Sequence, residues 1–224
     1  MFKKLVFLLI TSFVLAGCAH IESNVEQRVE PHPDHVDVYQ TPPVEHSRRA
    51  IYVRPDFPSP PKLKAVIYPL WITRDVQDRM DLGRGMGRIV WETWSEMGIF
   101  NSLRYESRDG WPGRSEARQV ALENGAQLYV LGQITKYLPG GSQGSTNIGM
   151  RLDIYSARED RLIWSMQQSA RIDPRPDMDF ILFKRKNWMP DSPIYVIVNS
   201  LAKRMGQPIY NWTHPELLRR KKKK

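Results

Sequence analysis

Residues 65–98 read AVIYPLWITRDVQDRMDLGRGMGRIVWETWSEMG, and a change of period inside this stretch decides the fold class. Ala65 to Leu70 is an apolar run of strand length. Beyond it, Val76, Met80, Gly83, Gly87, Val90, Trp94 and Met97 step by four, three, four, three, four and three, one stripe of a 3.6-residue helix. Gly98 supplies a stop. Two glycines lie on the stripe itself, each costing roughly 1 kcal/mol in helix propensity. The pattern therefore predicts close approach of a neighbouring backbone, in the sheet or in another subunit. Gly83-Arg84-Gly85-Met86-Gly87 is not a phosphate loop. A dinucleotide fingerprint needs a glycine where Arg88 stands and must directly follow a strand, and the Lys-Ser or Lys-Thr pair of a Walker loop is absent.

Downstream, Leu103-Arg104-Tyr105-Glu106 reads as a second strand, and Asp109-Gly110-Trp111-Pro112-Gly113 as a turn. Ser115 is placed to cap a short helix, Glu116 to Glu123, that Asn124-Gly125 ends. Leu128 to Ile134 is a strand with both faces buried at its start, and Pro139 to Gly144 a loop. Ile148, Met150, Leu152 and Ile154 alternate with polar residues or glycine, as do Leu162, Trp164 and Met166 beyond the Arg158-Glu159-Asp160 turn, which predicts an antiparallel hairpin. Residues 173–191 show no period. Ser192-Pro193 opens a last helix with Ile194, Ile197, Val198, Leu201 and Met205 on one face, and Gly206 with Pro208 marks its expected stop. The order βαβαβ-ββ-α is an α+β fold, a mixed β-sheet packed with helices.

The N-terminus carries a different signal. Lys3 and Lys4 precede an 11-residue apolar run, Leu5 to Leu15, too short for a bilayer span, which needs roughly 20 residues. The run ends in Leu15-Ala16-Gly17-Cys18, where small residues let a protease hold the chain extended and the thiol offers a nucleophile for alkylation. This quartet resembles the lipobox of bacterial lipoproteins. The resemblance implies cleavage before Cys18, diacylglycerol and palmitate on that residue, and a domain in the periplasm. Ala19, in place of an inner-membrane-retaining aspartate, implies the outer membrane. The expected organisation is a signal peptide at 1–17, a lipidated cysteine and Pro-rich linker at 18–62, an α/β domain at 63–212 and a basic tail at 213–224.

Composition bounds the chemistry. Cys18 is the single cysteine, so the mature domain has no internal disulfide and no thiolate nucleophile. The net charge of +9 lies mostly at the ends. Without Lys3, Lys4 and the run Arg219 to Lys224, 25 basic residues face 24 acidic ones, so nucleic acid is not an expected partner. Eight of the 17 prolines fall between residues 19 and 62, a segment read as an extended leash reaching on the order of 120 Å. Ala50 to Val53 is its one edge-strand candidate. His20, His32, His35 and His46 share this segment at spacings that match no common metal site, and are expected to be solvated. His214, beside Pro215, is expected to be exposed. With no Gly-x-Ser-x-Gly elbow and no His-Glu-x-x-His, the chain reads as a non-enzyme without cofactor or metal, and Glu159-Asp160 as solvated charge in a turn.

The long helix ending in Met97-Gly98-Ile99-Phe100, the stretch Gly125 to Ile134, and Leu152-Asp153-Ile154-Tyr155 leading to Leu162-Ile163-Trp164-Ser165 are similar to envelope lipoproteins around the curli secretion protein. The same domain recurs in the N-terminal part of TolB, in penicillin-binding-protein activators and in Pel-export lipoproteins. The resemblance implies a TolB N-terminal-like fold and a non-catalytic adaptor or assembly component of an envelope machine. The alternative it implies is a ring-forming subunit of a secretion or polysaccharide-export system. The membrane, through the lipid, and an envelope protein or further copies of this chain are the expected partners. The candidate contact residues are Phe180, Phe183, Lys184, Arg185 and Trp188, where aromatic and basic side chains mix.

Overall fold

The computed structural model describes residues 36–107, 110–141, 144–179 and 183–216. Along the chain lie β1 (Val36–Gln40), β2 (Glu45–His46), β3 (Ala50–Val53), β4 (Lys64–Ile67) and β5 (Trp71–Ile72), followed by α1 (Arg79–Glu96), β6 (Ser102–Tyr105) and α2 (Arg114–Glu123). The long strands β7 (Leu128–Leu138), β8 (Thr146–Ser156) and β9 (Leu162–Ile172) come next, then β10 (Met178–Asp179), β11 (Phe183–Asn187) and α3 (Pro193–Thr213). The main sheet runs β2-β9-β8-β7-β4-β6, with β3 also on β9 and β5 on β7. Its β6, β4 and β7 are mutually parallel, while β7, β8 and β9 form an antiparallel meander. The sheet is mixed, as the order of periods predicts.

Helices cover both faces. On one, Val90 and Trp94 of α1 and Ile197, Val198, Leu201 and Met205 of α3 pack on the inward residues of β8 and β9, among them Ile148, Met150, Leu152 and Met166. On the other, Ala117, Val120 and Ala121 of α2 cover Val66, Tyr68 and Tyr129. The glycines of α1 are explained by the sheet, not by another subunit. A side chain at Gly83 would run into the carbonyl of Leu70, and one at Gly87 would stand 3.0 Å from both the Pro69 Cα and the Tyr68 carbonyl. Leu70 N–H donates to the Gly83 carbonyl at 3.0 Å, so the chain leaving β4 lies directly against the helix. With Pro69 following, β4 ends at Ile67, three residues earlier than the apolar run suggests.

Other boundaries differ for identifiable reasons. Ser115 does not cap α2, which begins at Arg114 behind Gly113 in extended backbone. The helix ends as expected, with Gly125 left-handed at φ 62 and Asn124 Nδ2 bonding the Val120 carbonyl at 2.8 Å. Residues 173–191 are not irregular throughout, because β10 and β11 form a second sheet, ordered β1-β11-β10. The last helix does not stop at Gly206 and Pro208 but continues to Thr213 with Pro208 inside it. Nor does the free leash run to residue 62. β2 and β3 pair with β9, so the chain joins the domain by Glu45, and Ala50 to Val53 is the edge strand the sequence suggested.

Candidate functional site

Of the candidate residues, Cys18 and Phe180 lie outside the described ones, as does the run Arg219 to Lys224. Phe183, Lys184 and Arg185 belong to β11, and Trp188 follows it with 63% of its surface exposed. Lys184, Arg185 and Lys186 are half-buried. The strand is held from both sides. β1 pairs with it in parallel over five residues, from Val36 opposite Phe183 to Gln40 opposite Asn187, and the Trp188 N–H donates to the Gln40 carbonyl at 3.0 Å. β10 pairs antiparallel, and Asn187 bonds the Pro176 carbonyl at 2.6 Å through Nδ2 and the Asp177 carboxylate at 2.9 Å through its backbone N–H. The fold thus brings the basic run beside a strand contributed by the N-terminal segment.

That segment also runs along α3. His46 Nε2 meets Ser200 Oγ at 2.8 Å, and Arg49 Nη1 donates to the Arg204 carbonyl. Further on, Phe57 packs edge-on against Trp212 at 6.1 Å and accepts the Trp212 indole N–H through its carbonyl at 2.9 Å. Trp212 in turn packs on Trp164 at 6.2 Å. The strap therefore touches α3 at three points, Ser200, Arg204 and Trp212. The prolines of this segment break any period, so it carries no sustained strand or helix pattern in the sequence. The one legible signal was the apolar Ala50 to Val53.

The strap contains a serine–histidine pair, which raises the question of nucleophilic chemistry. Ser200 sits inside α3, where neighbouring amides are already spent on the helix ladder and none is free for an oxyanion. Burial, and after it the Arg204 guanidinium, push the His46 imidazolium below its ordinary value. A general base must carry charge during the reaction, and Arg204 opposes that charge. The pair is a packing contact. His46 itself is not the solvated linker residue expected from sequence. His214 is also half-buried, stacked on Tyr210 at 4.3 Å with Nδ1 tied to Thr213 Oγ1 at 2.9 Å. It lines a cleft of ≈ 430 Å³ with Ser59, Pro60, Pro61, Thr213 and Glu216.

Asp160 is a clamp, not solvated charge. It holds left-handed backbone at φ 52, accepts the Tyr129 hydroxyl and pairs with Arg114 Nε at 3.1 Å. Those two donors, Tyr129 first, hold its carboxyl below the usual range. Burial and the Asp160 bond push the Tyr129 phenol up to about 12, so it remains a donor. Tyr129 stacks on Tyr155 at 5.0 Å, and Arg114 lies over the Tyr155 ring. The hairpin turn is thereby fastened to the start of α2. Among the described residues no cluster of three or more His, Cys, Asp or Glu is arranged to hold a metal ion. None of the described helices is long and apolar enough to cross a membrane.

No protein-family model matches this chain, and no curated protein matches it. Among solved structures it is similar to PelC from Paraburkholderia phytofirmans, solved as a dodecamer, at 16% identity and a TM-score of 0.46, covering 75% of this chain and 96% of that one. It is also similar to the hypothetical protein CT253 from Chlamydia trachomatis, at 11% identity and a TM-score of 0.44, covering 68% and 98%. The C-terminal domain of LpoB from Escherichia coli aligns at 11% identity and a TM-score of 0.30, covering 48% and 82%.

Proposed function

We propose that this protein is lipid-anchored through Cys18 to the outer membrane, with its α+β domain in the periplasm serving as a non-catalytic adaptor or assembly component of an envelope machine. The observation that carries this reading is Leu15-Ala16-Gly17-Cys18 placed directly behind an apolar run of signal-peptide length. The tertiary structure adds a mechanical reason. The chain that leaves the anchor becomes a strap along α3 and the edge of the main sheet, so the domain is held through its own structure. The contact residues proposed for a partner are Phe180, Phe183, Lys184, Arg185 and Trp188. Exposed Trp188 supplies a large apolar side chain beside cationic ones, a composition typical of interface anchors.

Growth with labelled palmitate tests the anchor. Label enters the wild-type protein and not Cys18→Ser, which also leaves the outer-membrane fraction. A Cys18→Ser protein that matures and fractionates unchanged would falsify the reading. Capture of one envelope protein by wild type, weakened at least tenfold by Trp188→Ala with the fold intact, supports the adaptor role. Sedimentation of the detergent-extracted protein as a large closed assembly supports the ring instead.

A further inference from the structure

We infer that β11 is a strand-accepting edge whose occupant is the tether's own Val36–Gln40, and that opening and closing this clasp sets how far the domain stands from its membrane. The inference rests on the lipid-anchor reading for its consequence, though not for its geometry. β1 and the main sheet share no ladder; β1 pairs with β11 alone, in a sheet of three short strands. Small isolated sheets are marginal in water, and parallel pairing is slightly weaker per residue than antiparallel. The link from β1 to β2 is Thr41-Pro42-Pro43-Val44, whose prolines have no backbone donors to satisfy when the strand departs. The strap after Glu45 is held separately by β9 and α3. β1 therefore has the means to leave without unfolding the domain.

The register is specific. With the Trp188 N–H on the Gln40 carbonyl, the parallel pattern turns the backbone groups of Val36, Val38 and Gln40 toward β11. In the backbone register Lys184 stands opposite Asp37 of β1 and opposite Asp179 of β10. The length arithmetic gives the clasp its effect. With β1 docked, residues 19–35 alone separate Cys18 from the domain, a span of at most roughly 60 Å at ~3.3–3.6 Å per residue. With β1 free, the leash extends to Gln40, ahead of the buried Pro42 and of Val44, which packs on the core, and the limit rises to roughly 80 Å.

Cross-linking the acylated protein tests the geometry, because Cys18 offers no competing thiol once alkylated. In-register pairs Val38→Cys with Arg185→Cys and Tyr39→Cys with Lys186→Cys should join within one chain through a short bis-maleimide. The out-of-register pair Val36→Cys with Asn187→Cys, about 13 Å apart along the strands, should not. Gln40→Pro removes a ladder donor and should lower the in-register yield at least fivefold. Reach is read separately in vesicles containing acceptor-labelled lipid, with a donor dye on Tyr195→Cys: Gln40→Pro should reduce energy transfer, and the cross-linked clasp should restore it. In-register pairs that fail to join, that join equally after Gln40→Pro, or that join only between two chains overturn the proposal, as does unchanged energy transfer. The cross-link forms in detergent without any membrane, so its failure is distinguishable from failed palmitate labelling.

Discussion

Arg49 donates to the carbonyl of Arg204, the helix acceptor that lies four residues before Pro208 and is denied its amide partner by that proline. A proline inside a helix normally ends or kinks it. Here the strap supplies the missing donor, and α3 continues to Thr213. Removing Arg49 leaves this exposed carbonyl to water and should cost about 0.5–1.5 kcal/mol, the net worth of one hydrogen bond. Restoring the amide by Pro208→Ala should shrink that cost. Urea titration of Arg49→Met, Pro208→Ala and the double variant checks it, with an expected coupling of about 0.5–1.5 kcal/mol. Additive losses would mean that the two residues act independently.

The strap is part of the domain, which predicts how truncation behaves. A chain beginning at Lys62 lacks β2, β3 and Phe57, which leaves the edge of β9 unpaired and takes from Trp212 its ring partner and its indole acceptor. It should lose at least ~3 kcal/mol, or roughly 6–12 °C in Tm at 2–4 °C per kcal/mol. A chain beginning at Thr41 should melt close to the full-length mature protein. Equal melting of both truncations would contradict the packing.

Acid should loosen the same region. His46 has its folded-state value lowered, by burial first and by Arg204 second. The unfolded chain then takes up the proton before the folded one as pH falls through about 6.5, so stability from this site is present above that value and declines below it. His46→Gln keeps a polar group toward Ser200 and does not titrate. Thermal melts between pH 8 and 5 should show a shallower decline for the variant, and parallel curves would remove His46 as the cause.

Two glycines of α1, Gly85 and Gly87, make opposite predictions two residues apart. Gly85 has open space where a side chain would stand, so Gly85→Ala should stabilise by about 0.5–1 kcal/mol. Gly87→Ala meets the backbone of Tyr68 and Pro69 and should destabilise by about 1–3 kcal/mol despite the better helix former. Gly206 is similar on α3, where a side chain would stand 2.7 Å from Ile99 Cδ1 and 2.9 Å from Trp94 Nε1. Denaturant midpoints of the three alanine variants give the order directly.

The elements with a strong period were legible from residues alone. The α1 stripe, the β8–β9 hairpin and the α+β order follow from side-chain spacing, since burial of one face imposes period 3.6 or 2 on any element that packs. Even the need for a close neighbour at Gly83 and Gly87 was visible, because glycine on a buried stripe has few other reasons to be there. What local spacing does not encode is pairing between distant segments. β1 lies about 150 residues before β11, and the prolines of both regions hide their strand character. Pro208 carries a stop signal at the level of sequence, and the contacts that hold the helix beyond it, Arg49 on Arg204 and Phe57 on Trp212, arrive from the far end of the chain. Asp160 and His46 likewise looked like solvated groups until Tyr129, Arg114 and Ser200 were folded against them. The sequence by itself determined the strongly periodic elements, the fold class and the expectation of a lipid anchor, because these depend on near neighbours. The tertiary structure alone decided that the segment from Val36 to Phe57 is built into the domain, since hydrogen-bond partners and buried faces supplied across such separations leave no periodic trace.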